Sequence, residues 1–193
     1  MKRRRILQLA GLGIGSLAGC QELGKPKPSP TPDNNTSPNQ TNTQSHTGAI
    51  SVSWTTGPDM FKRRTQTTAV ALNGQIYVIG GIVESETRHT AVFDPQSNDW
   101  HKVPPPPKPI NHTSAVAHKG RIHVFGGYSG SFLGSNPLAA HWIYDPATNA
   151  WSTGPPLPTP RGALIAVAIN DRIFTIGGAT KSGTTAVVEA FNP

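Results

Sequence analysis

Three tryptophans set the frame for residues 54–193. Trp54, Trp100 and Trp151 are each followed by a Gly-Gly pair: Gly80-Gly81, Gly126-Gly127 and Gly177-Gly178. The second Gly always comes 27 positions after the Trp (54 to 81, 100 to 127, 151 to 178), so this half of the repeat aligns without a gap. A segment of variable length then leads to Phe93-Asp94-Pro95, Tyr144-Asp145-Pro146 and Phe191-Asn192-Pro193, and the next Trp follows six residues after each Asp. The Trp-to-Trp periods are 46 and 51 (54 to 100, 100 to 151). Units of this size cannot bury an apolar face alone and stack on their neighbours.

Each copy reads as a small antiparallel sheet. Ala69 to Leu72 and Gln75 to Ile79 flank Asn73-Gly74, a pair suited to a two-residue hairpin because both central residues need positive φ. Lys119-Gly120 and Asn170-Asp171 take the same place in the other copies. Ala-Val-Ala recurs on the first strand (69–71, 115–117, 166–168), and small residues suit an inner strand near a central axis. The third strand ends in the Asp-Pro turn, where the Asp side chain accepts from backbone N–H groups. The Trp lies on the fourth strand, with its large apolar surface expected between sheets and its indole N–H on a backbone carbonyl. Trp142 stands outside this pattern, so its truncation is expected to cost less than that of Trp100.

The Gly-Gly, aromatic-Asp-Pro and Trp combination resembles the kelch repeat over about 145 residues, from residue 49 to 193. The resemblance implies an all-β, kelch-type β-propeller with about three four-stranded blades, either part of a larger propeller or half of a six-bladed assembly of two chains. Ile50, Val52 and Trp54 alternate with Ser51 and Ser53 as an expected first strand, equivalent to the fourth strand of a blade. The kelch pattern often has a Glu two residues before the Tyr or Phe. Here it occurs only as Glu189, with Ala91 and Trp142 in the matching places.

The N-terminus carries a separate signal. Lys2-Arg3-Arg4-Arg5 precedes a short apolar stretch from Ile6 to Leu17, too short to span a bilayer, and the layout is that of a signal peptide. Leu17-Ala18-Gly19-Cys20 resembles a lipobox. That implies cleavage after residue 19, a lipid on Cys20, and export to the outer face of a prokaryotic cell membrane. Arg3-Arg4 also resembles a twin-arginine signal. Residues 20–48 are rich in Pro, Asn, Thr and Ser and cannot bury enough surface to fold, so they read as a tether. Of the 17 Lys and Arg, four lie in the leader, which leaves 13 against 10 Asp and Glu, a net charge of +3 instead of +7. A nucleic-acid partner is not expected from this balance.

Function is expected on loops, because strands and blade faces are committed to packing. In kelch propellers the loops from strand four to strand one, here called 4–1 loops, share one rim with the 2–3 loops. The longest 2–3 loop, 128–140, carries Tyr128, Phe132 and Leu133 as contact residues. Arg64, Ile110 and Arg161 each lie ten residues after a Trp. The resemblance implies that an Arg at this place can reach the pocket rim and bind a carboxylate in bidentate fashion. The alternative is that Arg64 and Arg161 staple neighbouring loops to backbone carbonyls. Asn111 and His112 could add polar contacts. His118 and His123, at the opposite rim, are expected to be ordinary surface residues, and no metal site or cofactor is expected.

A copper-radical oxidase of the galactose-oxidase type also uses a kelch propeller but needs a propeller cysteine, and Cys20 is the only cysteine. Two classes remain. The preferred one is a non-catalytic binding module for an extracellular protein or glycan, with a homodimer as one way to complete a six-bladed ring. The other resembles exported kelch-type sialic-acid epimerases, with Arg64, Arg161, Arg88, Glu84 and Glu86 around a sugar acid.

Overall fold

The computed structural model describes residues 52–83, 87–129 and 136–193. The leader, Cys20, the tether, Glu84, Glu86, Phe132 and Leu133 lie outside the described residues. Strands β1 (Thr68–Leu72) and β2 (Gln75–Ile79) pair across Asn73-Gly74, with Leu72 opposite Gln75. Asn73 and Gly74 have φ of 52° and 77°, as a primed two-residue turn requires. β3 (Thr90–Asp94) and β4 (Asp99–Val103) complete an antiparallel sheet in the order β1-β2-β3-β4.

The second sheet repeats this order with β5 (Ser114–His118), β6 (Arg121–Phe125), β9 (His141–Asp145) and β10 (Ala150–Thr153). Its 2–3 loop holds a small hairpin of β7 (Tyr128–Ser129) and β8 (Asn136–Pro137). The third sheet comprises β11 (Ile165–Ile169), β12 (Arg172–Ile176) and β15 (Val188–Phe191). Its 2–3 loop carries the hairpin β13 (Ala179–Thr180) with β14 (Gly183–Thr184). No helix occurs among the described residues. Thus the all-β, kelch-type propeller architecture is present as three stacked blades.

Stacking is apolar. Tyr77, Ile79 and Val92 of blade 1 share a core with Ile122, Val124 and Tyr144 of blade 2. Phe125 of blade 2 packs in a second core with Leu164, Ala166 and Ile173 of blade 3. The inner strands are stitched together as well: Ala115 N donates to Thr68 Oγ1 (3.1 Å) and Ala166 N to Ser114 Oγ (2.8 Å). The Ala-Val-Ala strands therefore line the inner side. Trp100 and Trp151 donate their indole N–H groups to Pro58 O (2.9 Å) and Pro104 O (2.8 Å), in each case four residues after the preceding Trp.

At the Asp turns, Gln96 N donates to Asp94 Oδ1 (2.8 Å) and Ala147 N to Asp145 Oδ1 (2.9 Å). These bonds, foremost among the causes, hold both carboxyls below the usual Asp range.

Three expectations are corrected. Val52–Trp54 is not a strand, and Trp54 is fully exposed. A strand needs a hydrogen-bonding neighbour, and none is paired with these residues among those described. Trp142 is buried at 7% exposure, whereas Trp100 is only half-buried, so the residue outside the repeat is the more enclosed.

His118 and His123 are buried, not surface residues. His123 Nδ1 lies 3.0 Å from His141 Nε2, and His141 Nδ1 lies 3.0 Å from Pro155 O. The Pro155 carbonyl can only accept, so Nδ1–H of neutral His141 donates to it, Nε2 of His141 accepts, and His123 Nδ1–H donates. Burial above all, helped by the charges of His141, His118 and Arg121, pushes His123 down to about 4. Burial also lowers His141, against the bond to Pro155 O, which raises it.

Candidate ligand-binding rim

The 4–1 and 2–3 loops meet on one rim because their backbones pair. Thr65, Asn111 and Gly162, each eleven residues after a Trp, form bridges with Ile82, Tyr128 and Ala179, the residues that follow each Gly-Gly. Both hydrogen bonds of every bridge are made, at 2.8–3.1 Å. The Gly-Gly pair ties this rim to the next blade. Gly81 N donates to Ile110 O (2.8 Å) and Gly127 N to Arg161 O (3.0 Å). Gly80 has φ of 64°, and a Cβ there would collide with Ile110 O, so both backbone conformation and close approach require glycine.

One residue further on, Gln66, His112 and Ala163 all adopt positive φ (55°, 50° and 52°). They are chained together by His112 N to Gln66 O (3.2 Å) and Ala163 N to His112 O (2.8 Å). A row of left-handed residues turns the chain at the same point in each blade, a regularity not visible in residue types as different as Gln, His and Ala.

Blade 2 gathers three of the expected contact residues. His112 Nδ1 lies 2.6 Å from Asn111 Oδ1, and the His112 ring meets Tyr128 edge-on at 5.6 Å between centroids. Asn111 is buried, while His112 and Tyr128 are half-buried. The Tyr128 hydroxyl donates to Ala179 O (3.2 Å), and its ring occupies the space beside Gly162. Burial holds His112 below the ordinary imidazole range. Near neutrality this favours a neutral polar-aromatic surface. Asn111 orients His112 from below, so of the two neighbours His112 is the one placed to touch a ligand. Phe132 lies outside the described residues.

The two arginines go elsewhere. Arg161 is completely buried, and its guanidinium donates to Glu189 Oε2 (2.5 Å), Thr175 Oγ1 (2.6 Å), Thr175 O (3.1 Å) and Thr159 O (2.9 Å). The expectation that Arg161 offers its fork to a ligand is therefore corrected. Its carboxylate partner is the chain's own Glu189, and a charge at this depth must be paired internally. Arg64 is half-buried and donates to Val78 O (3.0 Å) and His89 O (3.1 Å). It keeps part of the staple role and takes part in none of the three ion pairs among the described residues. Burial lowers its pKa. Arg88 is a staple too, donating from Nε to Pro106 O (3.0 Å).

Residues 31–193 match the family described as "KLHDC2/KLHL20/DRC7 Kelch-repeats domain". Among curated proteins, Beta-scruin of Limulus polyphemus is 34% identical over 134 residues, covering 67% of this chain and 15% of that protein. Kelch-like protein 35 of Mus musculus is 28% identical over 126 residues, covering 65% of this chain and 21% of that protein. Kelch-like ECH-associated protein 1A of Danio rerio is 27% identical over 107 residues, covering 55% and 18%. The matched region thus spans about a fifth or less of each of these relatives.

Proposed function

Because the chain belongs to the kelch-repeat family, we propose that it is a non-catalytic binding propeller, exported, anchored by a lipid on Cys20 to the outer face of a cell membrane, and presenting its loop rim to an extracellular protein or glycan. The observation that carries the binding role is the Asn111–His112–Tyr128 group, held in place by the Asn111–Tyr128 bridge at the base of the longest 2–3 loop. A polar-aromatic group presented on a loop rim by a stiff scaffold suits recognition. The test is a protein, peptide and glycan array probed with the full chain and with His112→Ala and Tyr128→Ala. Binding that drops about tenfold or more in folded variants supports the rim, and unchanged binding in both refutes it.

Anchoring rests on Leu17-Ala18-Gly19-Cys20 behind the basic leader. Several acyl chains, at about 0.8 kcal/mol per buried CH₂, suffice for stable membrane residence. Cys20→Ser should release the protein from the membrane fraction and abolish incorporation of labelled lipid. Retention of the variant in membranes, with no label on the wild type, would sink the idea.

The sugar-acid epimerase reading calls for two arginines and an acid converging on one open pocket. Among the described residues Arg161 is closed by Glu189 and Arg64 sits two blades away, so nothing specific favours it. Assembly has support of its own. Ile165, Val167, Ile169, Ile176 and Val188 leave an apolar face of blade 3 exposed. Such a face calls for a neighbouring blade, from the same longer protein or from a second copy. Sedimentation of the full chain decides for the second copy if it gives a dimer, and against it if it gives a monomer at micromolar concentration.

A further inference from the structure

One position is built three ways in the three blades. In blade 3, Glu189 stands opposite Thr175 in the β12–β15 register, and Arg161 spans the pair, bonding Thr175 O and the Glu189 carboxylate. In blade 2 the equivalent residues are Val124, Trp142 and Ile110, all buried and apolar. In blade 1, Ala91 stands opposite Val78, and Arg64 bonds Val78 O as Arg161 bonds Thr175 O. The guanidinium is retained, but the side chain that would neutralise it is replaced by a methyl group.

The missing side chain leaves a cavity. A space of about 80 Å³ lies against Arg64 and Ala91, walled on its apolar side by Met60 and Phe61. At roughly 30 Å³ for each water-sized group, it admits a carboxylate and a short hydrocarbon stem. Its charged lining is cationic: Lys62 and Lys102 face it with Arg64, beside the His89 imidazole, and no acid lines it among the described residues. Lys102 Nζ sits 5.1 Å from the Phe61 ring centroid, which holds that ammonium near the opening. His89 records the local potential: its pKa is lowered by burial first and then by the charges of Lys62, Arg64 and Lys102. Asp59 shares a neighbouring groove with Arg63 and Arg64 but makes no ion pair with either among the described residues. Among the described residues the half-buried Arg64 guanidinium bonds carbonyls alone, without the charge partner that its desolvation calls for.

We propose that this blade-1 cavity is a carboxylate-binding site, in which an acidic ligand places its carboxylate on Arg64 where Glu189 places its own on Arg161. The ligand class is a carboxylate on a short flexible stem, as in a small aliphatic acid or a glutamate side chain of a peptide. Planar, bidentate recognition is what a guanidinium does best, with the two lysines adding charge without geometry. The site lies on blade 1, apart from the His112–Tyr128 group on blade 2, and does not depend on the rim reading.

The experiment titrates the full chain with propionate, with a glutamate-containing tetrapeptide and with its glutamine analogue, and measures the urea midpoint of each variant. Saturable binding of propionate supports a small acid as ligand, and binding of the glutamate peptide alone supports a peptide side chain. Arg64→Ala should weaken either by about tenfold or more. Ala91→Glu supplies the missing group internally, so it should raise the urea midpoint and abolish binding, whereas Ala91→Gln should fill the space without a comparable rise. Failure of both acids to bind wild type, or equal binding by wild type and Ala91→Glu, overturns the proposal. So does tighter binding with a lower urea midpoint in the Glu84→Gln, Glu86→Gln double variant, which would mean that the chain's own loop already fills the site.

Discussion

Arg161 and Arg64 occupy the same repeat position and differ because of residues far from them in sequence. Glu189 lies 28 residues after Arg161, on β15, and neutralises a guanidinium that has no exposure of its own. Breaking a buried pair leaves an uncompensated charge, so Glu189→Ala should destabilise the fold by about 3–5 kcal/mol. A urea titration checks this, and a shift below about 1 kcal/mol would remove the pair from the list of stabilising contacts. His123 makes the second residue-scale case. Its folded pKa of about 4 lies below the 6.5 of an unperturbed imidazole, so the neutral form is the one the fold prefers. Above about pH 6.5 its contribution is fully present. As pH falls toward 4 the unfolded chain takes up a proton that the folded chain refuses, and stability drops; below 4 the contribution is gone. At about 1.4 kcal/mol per unit of pKa difference, discounted for relaxation of the surroundings, the loss is about 1–3 kcal/mol. His123→Asn, which keeps a donor near Nδ1, should flatten the stability profile between pH 6.5 and 4. An unchanged slope would contradict the assignment.

At the scale of strands, the hairpins, the Asp turns and the inner Ala-Val-Ala strands could be read from the sequence, because each is fixed by residues adjacent in the chain. Asn73-Gly74 and Asp94-Pro95 carry their geometry with them. What could not be read is burial on strands packed on both faces. β6 is buried continuously from Ile122 to Phe125, so the alternation that marks a one-sided strand is absent and His123 gave no sign of being enclosed. Trp142 on β9 was hidden for the same reason, and its place opposite Val124 puts it in the position filled by Glu189 in blade 3. The rim suffered differently: its arginines were found by position, but their partners come from other strands. It follows that Trp142→Ala, which empties an enclosed site, should cost about 3–5 kcal/mol, and Trp100→Ala, half-exposed, should cost less. Denaturant midpoints in the reverse order would contradict this packing.

For the whole molecule, the repeat determines where function can reside. Strands, blade faces and the Gly-Gly stitches are engaged in stacking, while the 2–3 loops absorb all the length variation and share a rim with the 4–1 loops. The opposite ends of the blades are tight turns, two-residue hairpins at 73–74, 119–120 and 170–171 and the Asp turns at 95–98 and 146–149, which offer little contact surface. The central claim, that the His112–Tyr128 rim is the binding surface, is tested most directly by hydrogen exchange on the full chain with and without the ligand recovered from the array. Slowed exchange at residues 110–113 and 128–129, with the hairpin turns unaffected, is the predicted result. Protection confined to the turns at 73–74, 119–120 and 170–171 would contradict it.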